Sequence, residues 1–123
     1  MTTETLKLIN TMLTGAKLNY AFHTLKTQNV TYPYWIGEFT EAPPDDETGH
    51  RQSTFILTGT TDGTWSSLQA EKKAIEALFR EKRAIHSNNN AVAFFVENSF
   101  EVPTQLDTLK RIQLNISVQE WRN

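Results

Sequence analysis

The chain has 123 residues, of which 38% are apolar and 21% charged, with a net charge of -2 and no cysteine. This length suits one domain spanning residues 1–123, and a near-neutral balance with dispersed basic residues argues against specific nucleic-acid or anionic-membrane binding. Without cysteine there is no disulfide framework, thiolate nucleophile or cysteine metal site. No apolar run approaches membrane length, and the opening MTTETLKLIN lacks the basic start and apolar stretch of a secretory leader, so synthesis in the cytoplasm is expected.

From Thr3 to Thr14, Leu6, Ile9 and Leu13 recur at helical spacing, Met12 widens that face, and Gly15 is placed to end the helix. Lys17 to Thr24 alternates instead, with Leu18, Tyr20 and Phe22 on one side, and predicts a short strand. Val30 to Thr40 is dense in the aromatic and branched residues that strands favour. Pro33 cannot donate to a ladder and belongs at this strand's start, on an edge or at a bulge. Tyr32, Tyr34 and Ile36 point one way and Pro33, Trp35 and Phe39 the other, so the strand has two apolar faces and needs two covers. One cover is the protein's own core. The other is a second subunit, or else the first helix or the chain ends.

The run EAPPDDETGHR from Glu41 to Arg51 holds two prolines, a glycine and four acids, and predicts a long hairpin loop. An antiparallel strand returns from about Gln52, placing Phe55, Leu57 and Gly59 on one face and Ile56 and Thr58 on the other. Asp62-Gly63 closes it. A helix follows from Trp65, capped by Ser66 or Ser67, with Leu68, Ile75, Leu78 and Phe79 as its apolar stripe. Periodicity is lost from Glu81 to Asn90, Ala91 to Val96 is a compact strand, and Ser99 to Leu109 is a connector. In the last strand Ile112, Leu114, Ile116 and Val118 alternate strictly with Arg111, Gln113, Asn115, Ser117 and Gln119, and Trp121 falls off the inward register. The sum is an α+β domain with a mostly antiparallel sheet of about four to five strands and two helices packed on it. The second helix is expected across the inward face, against Leu114 and Ile116.

Reactive chemistry is sparse. His23, His50 and His86 have no partners at metal-ligand spacing, DDETGH lacks the alternating ligands of a calcium loop, and GTTDGTWSS lacks the lysine and glycine spacing of a phosphate cradle. No catalytic residue, metal site or cofactor is predicted, and the chain reads as a non-enzyme. The aromatic cluster Tyr32, Tyr34, Trp35 and Phe39 lacks the clustered cations of a base-stacking platform, which leaves core packing and protein contact.

The order of elements resembles the tail terminator, or tail completion, proteins of long-tailed bacteriophages and prophages. The resemblance covers nearly the whole chain. Its carriers are the opening helix, the segment LNYAFHTLKTQNVTYPYWIGEF, the strand STFILTGTT entering the helix SLQAEKKAIEALF, and the terminal strand RIQLNISVQEW. It implies a structural virion protein that forms a homo-oligomeric ring, commonly a hexamer, which caps the tail tube, stops its polymerisation and joins tail to head. The implied partners are further copies of the chain, the tail tube protein and a head completion or connector protein. The implied location is the virion tail, after assembly in the host cytoplasm. Such proteins share no motif residues, so the interface residues expected here come from this sequence alone: Trp35 and Trp121 as apolar anchors, Asp45, Asp46 and Glu47 as polar loop contacts. A head-tail connector, a minor capsid component and a small non-viral binding module are the alternatives.

Overall fold

A computed structural model of the chain describes residues 3–16, 18–22, 32–41, 50–81, 84–87, 90–104 and 108–122. Its elements run in the order α1 (Thr3–Gly15), β1 (Tyr20–Phe22), β2 (Tyr34–Glu41), β3 (His50–Thr61), α2 (Trp65–Glu81), β4 (Ala84–Ser87), β5 (Asn90–Val102) and β6 (Lys110–Arg122). The strands form one sheet in the order β1-β2-β3-β6-β5-β4. Every neighbouring pair is antiparallel except β1 and β2, which run parallel. The α+β class, the mostly antiparallel sheet and the two helices agree with the sequence reading. The sheet is larger than expected, at six strands.

The extra strand is β4, from the stretch after α2 where apolar periodicity fades. Among the described strands it pairs with β5 alone and lies at the sheet edge, where one neighbour suffices. β5 also runs past its expected end at Val96, through a register shift between Val96 and Asn98, to Val102. A bulge inserts a residue and breaks the period-two pattern, which is why Ser99 to Val102 reads as a connector in the sequence. Of the strand expected from Lys17 to Thr24, β1 takes Tyr20–Phe22, while Lys17, His23 and Thr24 lie outside the described residues. Pro33 immediately precedes β2, where its missing donor costs no ladder bond.

Both helices contribute to a core on one face of the sheet. Phe55 and Leu57 of β3 lie opposite Ile116 and Leu114 of β6, and together with Trp35, Phe94, Ile112 and Val118 they meet Ile9 and Leu13 of α1 and Leu68, Ile75 and Phe79 of α2. Phe79 and Phe94 meet edge to face with ring centroids 5.3 Å apart. The cap of α2 is Thr64, whose Oγ1 accepts from the Ser67 backbone N–H at 3.2 Å, rather than Ser66 or Ser67. The helix already begins at Trp65, which puts both serines inside its first turn, so Ser67 supplies the orphan donor and Thr64 the acceptor.

Two polar contacts tie α1 to the sheet. Thr5 Oγ1 donates to the buried Glu120 carboxylate at 2.9 Å, and the Tyr20 hydroxyl donates to Asn10 Oδ1 at 2.9 Å. Burial pushes the Tyr20 phenol up from 10.0 to about 12. The folded chain therefore holds this proton to higher pH than the unfolded chain. The stability Tyr20 contributes is complete below pH 10 and is lost as pH rises toward 12. Unfolding midpoints measured on either side of this window should fall with pH, and Tyr20→Phe should flatten the fall while lowering the midpoint below pH 10. An equally steep fall in Tyr20→Phe would exclude this phenol as its source.

Candidate functional site

The face opposite the helices is built by the residues that alternate with the core. On β2 they are Tyr34, Ile36 and Glu38; on β3 Gln52, Thr54, Ile56, Thr58 and Thr60; on β6 Arg111, Gln113, Asn115, Ser117 and Gln119. No helix among the described residues covers this face. Between Gln52 and Thr60, and between Gln113 and Gln119, it carries no charged side chain, although 21% of the whole chain is charged. Solvent faces normally carry interspersed charges, and depletion of charge marks the centre of protein contacts.

Large apolar side chains flank this uncharged strip. Phe95 is 43% exposed, Phe100 46% and Trp121 39%. Trp121 stacks on His50 with ring centroids 5.1 Å apart, and His50 Nε2 donates to Gln119 Oε1 at 2.8 Å. The indole is thus held in place while much of its surface stays wet, as suits an anchor that loses little freedom on docking. At the other end of the face, Tyr34, Ile36, Thr58, Thr60, Val102 and Gln113 line a groove of about 380 Å³ between Glu38 and Arg111. The half-buried Arg111 donates its Nε–H to Thr60 Oγ1 at 3.1 Å.

Of the expected interface residues, Trp121 stands on this face. Asp45, Asp46 and Glu47 lie outside the described residues. Trp35 has no accessible surface: it packs in the core, and its Nε1–H donates to Glu71 Oε1 on α2 at 3.0 Å. Any part it plays in a subunit contact is indirect, through the sheet it holds in shape. The two-cover problem posed by β2 is settled on Trp35's side by the protein's own core. The side bearing Tyr34 and Ile36 is the one that no helix among the described residues covers. Phe95, Phe100, Glu38 and Arg111 are surface features that the sequence reading does not single out. Their signal was the uncharged alternation of Gln113, Asn115, Ser117 and Gln119 on β6.

Among the described residues, no group of three or more histidine, aspartate or glutamate side chains is placed to hold a metal ion, and no helix is long and apolar enough to cross a membrane. No family model matches the chain, and no curated protein does. One fold is shared. A chain from the virion of a native gene transfer agent particle superposes with a TM-score of 0.68 at 10% identity, covering 96% of this chain and 90% of that one. At that identity the likeness establishes a common fold over nearly the full length of both chains.

Proposed function

We propose that this chain is a structural protein of a phage-like virion, and within such a particle the terminator of the tail. The observation that carries the reading is the end-to-end likeness of fold to a chain of a gene transfer agent virion, with no large part of either chain left over. The resemblance of element order to tail terminators points the same way. So does a sheet face with exposed aromatics and little charge, which suits protein contact better than catalysis.

A terminator must match the end of a tube and yet not reproduce the tube's own growing surface, so it needs two unlike faces. A ring needs two unlike patches on each subunit as well, because its contacts are head-to-tail. Asp45, Asp46 and Glu47 precede His50 in the sequence, and we assign the end of the sheet bearing His50 and Trp121 to the neighbouring subunit or the tube. Six copies, closed on the tube and presented to a head completion protein, form the joint. The protein has no catalytic role in this reading.

Interrupting the gene in a particle-producing strain tests it. The expected result is tails of uncontrolled length without heads, rescued by the wild-type gene. Tails of normal length lacking heads would instead mark a head-tail connector, and normal particles would overturn a virion role. Trp121→Ala should leave the unfolding midpoint of the isolated chain within a few degrees while reproducing the long tails in part. Wild-type tails from that variant would remove Trp121 from the contact.

A further inference from the structure

The groove at the Tyr34 end of the open face lies between two opposite charges that do not meet. From the strand register, Glu38 is level with Ile56 and Asn115, while Arg111 is level with Thr60. They therefore stand two strand spacings across and four residues along from one another, about 16 Å apart. Neither makes an ion pair among the described residues. The midpoint between them falls at Thr58, and the groove floor there is made of Ile36, Thr58 and Gln113.

We infer that a second copy of this chain packs on this face about a two-fold axis over Thr58, with Glu38 of each copy meeting Arg111 of the other. A two-fold contact is self-complementary, so it requires each patch to contain both members of every pair it makes. One acid and one base at equal distances from an uncharged, partly apolar centre meet that requirement. A nucleic acid would find one cation where it needs several, and a lipid surface would meet threonine, glutamine and asparagine where it needs apolar side chains.

The whole face sets an upper bound on the size of the contact. β3 has 12 residues, and a face of that length across four strands measures about 40 Å by 19 Å, on the order of 750 Å² per partner before side-chain relief, near the roughly 800 Å² of a standard interface. The axis sits toward one end of the sheet, so only part of that area is covered. The pair is accordingly a weak dimer with a dissociation constant on the order of micromolar. Trp121 is at the far end, outside the paired region. The inference therefore stands apart from the terminator reading and concerns the chain in isolation.

The test uses the full chain and sedimentation or light scattering over a wide concentration range. Wild type is expected to pass from monomer to dimer. Glu38→Arg and Arg111→Glu should each weaken self-association at least about tenfold, since each places like charges across both symmetric contacts. Mixing the two single variants should restore pairing. The two substituted side chains then face each other with opposite charge across one contact, and the unchanged Glu38 and Arg111 meet across the other. Chain carrying Thr58→Cys, the only thiol in the molecule, should be joined to itself by a short bis-maleimide. A wild type that stays monomeric to about millimolar concentration, or single variants whose mixture does not pair, would overturn the inference whatever the tails of the virion show.

Discussion

Trp35→Ala should be the most damaging single truncation in the chain, lowering stability by about 3 to 5 kcal/mol. The side chain is fully buried between β2 and α2 and its indole N–H donates to Glu71 at 3.0 Å. Removing it opens a cavity beneath the centre of the sheet, because the ring also fills the space over Gly59 of β3. A domain of this size has about 5 to 15 kcal/mol in hand, so the loss is a large share of the total and shifts the thermal midpoint by roughly 10 to 20 °C. Trp35→Phe keeps most of the packing and should lose much less. The measurement is thermal unfolding of dilute protein, where oligomers do not contribute. An Ala variant that melts like wild type in dilute solution but fails to assemble would show that Trp35 acts at a contact between subunits after all.

The inward alternation of β6 was legible in the sequence because a half-buried strand writes its burial directly into every second residue. Ile112, Leu114, Ile116 and Val118 are all buried, and Trp121 is exposed as its register requires. The stripe Leu68, Ile75 and Phe79 was legible for the same reason at helical spacing. Trp35 was harder. Period-two alternation placed it opposite Tyr34 and Ile36, which is correct, but alternation alone does not say which face the helices take. Both faces of β2 are rich in apolar side chains, and the decision rests on the pairing of Trp35 with Gly59 across the sheet, a long-range fact. The buried Glu120 was illegible for a related reason. A carboxylate in the inward register looks like the end of a strand until Thr5, 115 residues away in sequence, supplies a donor. Of the open face, Trp121 was readable from its register alone, whereas the Glu38 and Arg111 arrangement depends on two strand pairings that no local pattern encodes.

The pairing of Trp35 with Gly59 carries the second large effect, Gly59→Ala. A Cβ on Gly59 would lie 2.6 to 2.7 Å from Cζ3, Cε3 and Cη2 of the Trp35 ring, well inside contact distance. The ring has little freedom to withdraw. Glu71 holds the indole nitrogen, and the Trp35 backbone N–H donates to the Asn19 carbonyl at 2.8 Å. Nor can β3 move away, since it is paired with β2 from Ser53 to Thr60 on one side and with β6 along its length on the other. Adding one methyl should therefore cost about 3 kcal/mol, the upper end of the range for overpacking a core, although alanine ordinarily favours a strand more than glycine does. The cause is separable from a general intolerance at this position. Shrinking the ring as well, in Trp35→Leu with Gly59→Ala, should lose less than the sum of the two single variants, because the methyl then enters space the ring has vacated. Additive losses would mean that Gly59 is required for some reason other than the indole above it, and an unperturbed melting temperature for Gly59→Ala would mean that the two strands yield more readily than their pairing implies.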